Sequence, residues 1–414
     1  MNKKHIISIS LLTCLFLTFQ SYANIKDKSF SQAQTIYKLF CSNIITKNNI
    51  IDKNWLNIKR TKNLHIYKNK NERLQINILY RSNKIQKLIF TFYNHANRPL
   101  IEMRSNNNCL LQTIRRIVYD KASIAYEIQS LNIKNYKIEE RQLLNPKKPK
   151  LTTTNNKNII ALIDTGINYT LTEFHKNIAV KNGTILGFDY WDNDDKPFDS
   201  DPRQNPFYPR SHGSTIFSVL AKEAPNSHIA PYRFPALNMC KFREVIEHIA
   251  KNSIRLVNLS MGSNKLKDWV CFEKAAKQYN NIIFVVSAGN NGFDIDKQPI
   301  YPASLKLKNI ITVTSSYQNG RIGRGSNIGK LSVDFILPAE RIEVIDHRGV
   351  KSYTGGTSYA APRLVALISR FIEKNPNTTN NKIFEFLQKR SIQKGIKKTK
   401  YGWIPDPLDD YLIN

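Results

Sequence analysis

A serine stands between glycines and small residues in Gly355-Gly356-Thr357-Ser358-Tyr359-Ala360-Ala361-Pro362, ahead of the apolar run Leu364-Val365-Ala366-Leu367-Ile368. Nothing bulky blocks a carbonyl from reaching that hydroxyl, so Ser358 is a candidate nucleophile. The small residues open a helix whose free N–H groups and positive end face the place where negative charge develops in acyl transfer. Pro362 reads as part of the first turn, where a missing N–H has no partner to lose. Taken alone, the stretch is equally a Gly-Ser turn capping a buried helix.

Three other residues would complete the chemistry. Asp164 ends the apolar run Ile159-Ile160-Ala161-Leu162-Ile163 and precedes Thr165-Gly166, where a carboxylate can orient a histidine and stabilise its charged form. Its rivals are a plain strand-ending turn and an aspartic protease, but the latter needs a paired aspartate and no second Asp-Thr-Gly occurs. His212, in Ser211-His212-Gly213-Ser214-Thr215, opens a helix-like run beside a glycine and has the near-neutral pKa of a general base. His175 and His228 lack a glycine neighbour and represent the structural alternative. Asn290, in Ser287-Ala288-Gly289-Asn290-Asn291-Gly292, could donate its amide to an oxyanion, although Asn and Gly are also common in turns for backbone reasons. Leu256-Val257-Asn258-Leu259-Ser260-Met261-Gly262 is a strand whose end could pair with an extended peptide.

From Asn158 onward, short apolar runs alternate with helical stretches: 159–163, 215–222, 229–233, 242–251, 256–259, 269–278, 282–286 and 310–313. That alternation predicts an α/β fold, a mostly parallel sheet covered by helices, with chemistry at the carboxyl ends of strands. Residues 24–144 have a different texture and predict a small α+β unit: helices over 31–45 and 108–120, strands over 73–80, 87–94, 100–104 and 123–131. Residues 145–157, polar and without periodicity, read as an exposed linker. The expected domains are therefore 1–23, 24–144, a linker at 145–157, and 158–414.

Of the 414 residues, 41% are apolar and 23% charged, a globular composition with room for a large core. Residues 1–23 read as a Sec-type signal: Lys3 and Lys4, an apolar core from Ile6 to Phe19, and a cleavage site at Ser21-Tyr22-Ala23. Thr13 before Cys14 is a poor match to a lipoprotein signal. The expected product is secreted or periplasmic, with no stable membrane insertion. Export leaves Cys41, Cys109, Cys240 and Cys271, an even count whose simplest pairing is local, first with second and third with fourth. The formal net charge is +30, of which residues 24–150 carry +17. The lysines are scattered among asparagines and isoleucines, so a solvated basic surface is expected and a nucleic-acid partner is not.

Taken together, Asp164, His212, Asn290 and Ser358 follow the order of the subtilisin-like serine proteases (the subtilases, peptidase family S8), which the chain resembles from about residue 158 onward. The resemblance implies a three-layer subtilisin-like fold and carries roles over residue by residue. Asp164, His212 and Ser358 match the triad, and Asn290 the oxyanion-hole asparagine. Ser260, Met261 and Gly262 match the substrate-binding strand, and Ser287, Ala288 and Gly289 the far wall of the primary specificity pocket. Tyr301-Pro302-Ala303 and Leu337-Pro338-Ala339 are similar to family landmarks.

Two departures bear on the site. After His212-Gly213 the family usually has Thr-His-Val-Ala-Gly, whereas this chain has Ser214-Thr215-Ile216-Phe217-Ser218, which questions the packing of that helix. Tyr359-Ala360 replaces a serine or methionine and would alter the rim of the site. No cofactor is required. Asp189, Asp192, Asp194, Asp195, Asp199 and Asp201 form an acidic run. Relatives often bind structural calcium with such oxygen-rich loops, but the spacing fits no defined calcium loop and a solvated acidic surface is the expectation. The resulting reading is a secreted serine endopeptidase acting on protein or peptide substrates. The alternatives are a non-catalytic secreted binding protein that keeps the fold, and an N-terminal unit that adheres to anionic surfaces. Residues 24–150 lie where the family usually carries a propeptide.

Overall fold

The computed structural model describes residues 30–39, 41, 55–69, 73–154, 158–234, 238–393 and 398–413. The expected signal at 1–23 lies outside them. The chain divides into two compact units, one formed by Met1–Leu144 with Asn205–Tyr208, the other by Asn145–Gln204 and Pro209–Asn414.

The first unit is an eight-stranded antiparallel sheet in which each strand pairs with its neighbour in sequence: β1 (Trp55–Arg60), β2 (Leu64–Asn69), β3 (Leu74–Arg81), β4 (Lys84–Tyr93), β5 (Pro99–Asn106), β6 (Leu111–Tyr119), β7 (Ala125–Leu131) and β8 (Ile138–Leu143). Alternation in β3 turns Leu74, Ile76 and Ile78 to one buried face. Residues 30–39 and 41 are helical, and Ala33, Tyr37 and Cys41 pack with Ile76, Phe90 and Met103 in one core. Cys41 and Cys109 form a disulfide. A smaller cluster holds Ile117, Ile128, Leu144 and Phe207.

The helix expected over 108–120 is a strand. Its apolar residues, Leu110, Leu111, Ile114, Ile117 and Val118, are spaced like a helix face, but Thr113, Ile114, Ile117 and Val118 are β-branched. Pairing with β5 and β7 on both sides decides the outcome, and the odd spacing of Ile114 and Ile117 puts them on opposite faces of the strand, Ile114 in the larger core and Ile117 in the smaller cluster.

In the second unit the main sheet runs Phe188–Asp189, His228–Arg233, Ile159–Asp164, Leu256–Leu259, Ile283–Ser287, Ile310–Ser316, Phe335–Pro338, Gly402–Trp403, with every neighbouring pair parallel. The inner strands are buried along almost their whole length because both faces are covered, as their continuous apolar sequences imply. Ile160 and Leu162 join one core with Ile216, Phe217 and the helix Thr357–Lys374. Ala161 and Ile163 face the other core, with Phe242, Ile246 and Phe272 from the helices Phe242–Lys251 and Val270–Gln278. A disulfide joins Cys240 to Cys271.

The stretch after Leu144 is not exposed throughout. Asn145 and Pro146 are buried. Asn145 donates to Asp194 (2.9 Å), the Tyr169 hydroxyl to the Pro146 carbonyl (2.7 Å), and Thr154 N to the Val180 carbonyl (3.1 Å). The acidic run also departs from expectation. Asp189 and Asp199 are buried, and Arg233 Nη1 donates to both Asp189 and Asp192 at 2.7 Å while its Nε donates to the Ser200 carbonyl. Burial pushes the Asp189 carboxyl up to about 6 against the pull of Arg233. These carboxylates are already satisfied by Arg233, Lys148, Lys196, Arg203 and backbone N–H groups. Among the described residues no group of three or more His, Cys, Asp or Glu is arranged to hold a metal ion.

Candidate active site

The site is assembled from strand ends and two helix starts. Asp164, the last residue of its strand, accepts from Nδ1 of His212 through both oxygens, at 2.8 and 2.9 Å. Thr165 N donates to the same carboxylate at 2.7 Å. With Nδ1 carrying the proton, Nε2 of His212 has a free lone pair to act as a base. Burial opposes charge on the ring, yet the charge and hydrogen bond of Asp164, joined by the charge of Asp199, hold the imidazole above its ordinary pKa. Gly213 is required by close approach, because a Cβ there would lie 2.0 Å from the Gly166 carbonyl oxygen.

The departures after Gly213 are accommodated by hydrogen bonds. Ser214 Oγ accepts from Asn168 N (2.9 Å), and Thr215 Oγ1 donates to the His212 carbonyl (2.6 Å). Tyr359 is buried, not at the rim: its hydroxyl lies 3.1 Å from Thr215 Oγ1 and its ring centroid 6.0 Å from that of His212. It therefore ties the His212 helix, Gly213–Glu223, to the Ser358 helix.

Ser358 is the second residue of the helix Thr357–Lys374, so its N–H has no intrahelical acceptor. Pro362 is the sixth residue, beyond the first turn expected for it. There it removes the N–H that would reach the Ser358 carbonyl, and Ser260 Oγ donates to that oxygen instead, at 2.9 Å. Ser260 thus has a structural bond to the Ser358 segment besides its place just after the Leu256–Leu259 strand.

Asn290 follows the strand Ile283–Ser287. Its Oδ1 accepts from both N and Oγ1 of Thr357, each at 3.0 Å, and Thr357 Oγ1 accepts from Gly289 N at 3.1 Å. This pairing assigns the amide orientation and leaves the NH2 of Asn290 available as a donor. Asn290 and Ser358 line one cavity of about 460 Å³ with Ser260, Met261, Gly262, Ser287 and Gly289. Ala288 does not line it. It is fully buried, and its carbonyl accepts from Asn327 Nδ2 at 2.8 Å.

Asn327 was not among the residues singled out from the sequence. Its Oδ1 accepts from Asn291 N and Phe293 N, at 3.0 and 2.8 Å, so one fully buried amide shapes the turn that presents Asn290. Its setting, Gly325-Ser326-Asn327-Ile328-Gly329, is a glycine-flanked polar cluster that could have drawn attention. Asp199, grouped with the acidic run, was also missed as part of this site.

The profile of the subtilase family matches residues 155–403. The cell wall-associated protease of Bacillus subtilis is 23% identical over 274 residues, 62% of this chain but only 28% of that protein. The epidermin leader peptide-processing serine protease EpiP of Staphylococcus epidermidis is 22% identical over 476 residues, 97% of this chain and 96% of that protein. The crystal structure of EpiP from Staphylococcus aureus shares the fold, with TM-score 0.51 and 18% identity over 63% of this chain and 77% of that one.

Proposed function

The chain belongs to the subtilase family, and from that premise we propose that it is a serine endopeptidase whose triad is Asp164, His212 and Ser358. In this reading His212 Nε2 takes the proton of Ser358 Oγ as the oxygen attacks the scissile carbonyl, and returns it to the leaving amine as the C–N bond breaks. Water then hydrolyses the acyl-enzyme by the same proton path. Asn290 Nδ2 and the Ser358 N–H hold the oxyanion. The observation that carries the reading is the opposed bracing of the two reactive sides: Asp164 fixes His212 through Nδ1, while Thr357 fixes Asn290 through Oδ1. A non-catalytic descendant would have no use for both.

A fluorophosphonate probe should label the wild-type protein and leave Ser358→Ala unlabelled. Labelling of the variant would overturn the assignment. Among the described residues no charged one lines the cavity beside Ser358, whose lining includes Ser260, Met261, Ser287, Phe293 and Ile300. We therefore propose an uncharged side chain before the scissile bond, which cleavage of a peptide mixture varied at that position reads; cleavage confined to Lys or Arg would refute it. Two disulfides and the expected signal at 1–23 support an exported protein. Residues 24–144 are proposed to be a propeptide, a reading supported by their position ahead of the residues that match the subtilase family and by an alignment with EpiP that extends over 97% of this chain.

A further inference from the structure

We infer that Asp199 is a positioning residue for His212, holding the histidine from its backbone side while Asp164 holds its ring. The inference rests on the triad proposed above. His212 is the N-cap of its helix, but its side chain makes no capping bond, so the first N–H groups of that helix need acceptors from elsewhere. Asp199, 13 residues earlier, supplies them: Oδ2 accepts from Ser214 N at 2.8 Å and Oδ1 from His212 N at 3.1 Å. Thr165 completes the bracket. Its hydroxyl donates to Asp199 Oδ1 at 2.6 Å and accepts from Gly213 N at 2.8 Å and His212 N at 3.0 Å.

One buried carboxylate therefore locks the turn after Asp164 to the start of the His212 helix. This sets the distance between the two triad members independently of the bond between their side chains. Asp199 is 2% exposed, and no ion pair involves it among the described residues. A buried carboxylate without a cation is costly, and backbone N–H groups at a helix start are the kind of partner that offsets it. Burial pushes the Asp199 carboxyl up, against its bonds to Ser214 and Thr165, and in its charged form it is the second negative charge facing His212. Among the described residues the groups around the imidazole are Asp164, Asp199 and the ring of Tyr359, while Arg203, paired with Asp201, is a cation in the field of Asp164.

The test is Asp199→Asn in the full chain, with Asp195→Asn, a half-exposed member of the same acidic run paired with Lys148, as the control. The asparagine keeps one acceptor oxygen and loses the other together with the charge. We expect kcat to fall roughly 10- to 100-fold with KM little changed, the loss of charge-assisted bonds that orient a base without touching substrate. The acid limb of kcat should also move to lower pH by about half a unit, because removing a negative charge disfavours the imidazolium. The control should change neither. A variant with wild-type kcat, or one whose acid limb does not move, overturns the proposal. If calorimetry shows that Asp199→Asn does not fold, Thr165→Val against Thr165→Ser tests the same bracket: loss of kcat with valine and recovery with serine supports it, and equal rates overturn it. Fluorophosphonate labelling of wild type separates failure of this inference from failure of the Ser358 assignment.

Discussion

Arg363 and Glu223 join the two helices that carry Ser358 and His212, and removing one partner should cost far more than removing both. Glu223 ends the His212 helix and Arg363 lies in the Ser358 helix; they are 8% and 4% exposed. Arg363 Nε donates to both carboxylate oxygens, at 2.8 and 3.1 Å, and its Nη1 donates to the Pro338 carbonyl. Arg363→Met leaves a buried carboxylate without its main partner, which costs about 3–5 kcal/mol. For a unit of this size that is a fall in Tm of roughly 6–20 °C. Burial already pushes the Glu223 carboxyl up, against the pull of Arg363, and losing the arginine raises it further. A raised folded-state pKa means that the folded protein holds the proton more tightly, so this group's contribution to stability falls as pH rises from its unfolded value toward the raised one. The deficit of Arg363→Met should therefore be smaller at pH 5 than at pH 7. Adding Glu223→Leu should restore most of the loss, since a buried pair and an apolar pair of similar volume are often equally stable. Calorimetry at both pH values, in a Ser358→Ala background that prevents self-digestion, reads all three. A single variant losing less than about 1 kcal/mol, or a double variant no better than the single, would refute the reasoning.

Asn290→Ala should lower kcat roughly 100-fold or more with little change in KM, the loss established for oxyanion-hole donors in this family; Thr357→Val, which removes the hydroxyl bond to Asn290 Oδ1 and keeps the backbone one, should give a smaller loss in the same steady-state assay. Burial pushes the Asp334 carboxyl up to about 6, against its bonds to Thr312 N and the charge of Lys400. Its folded value lies above its unfolded one, so wild type should lose stability relative to Asp334→Asn as pH rises from about 4 to 6, by about 2 kcal/mol in denaturant titrations; parallel curves would contradict this. Activity-dependent cleavage should fall between Lys147 and Asn158, because Asn145 and Pro146 are buried while Lys147, Lys150, Thr152 and Thr153 are exposed. N-terminal sequencing of wild type and Ser358→Ala tests it: identical chains starting near Asn24 in both would make residues 24–144 a retained domain.

The sequence by itself determined the kind of peptidase unit and the residues worth watching. Continuous apolar runs such as 159–163 are readable because a strand covered on both faces has no polar side to alternate, and Asp164 and Asn290 are conspicuous because they interrupt such runs at glycine turns. Local signals failed where two periods fit the same residues. Leu111–Tyr119 has helix spacing and β-branched content together, and only pairing with β5 and β7 made it a strand. The tertiary structure alone decided which polar residues meet. Asp199 looked like one member of a solvated acidic run, and Asn327 and Thr357 like turn and helix residues, because their partners lie 13 to 68 residues away. A buried polar side chain takes its role from the backbone groups it satisfies, and those are brought to it only by the packing of strands and helices distant in the chain.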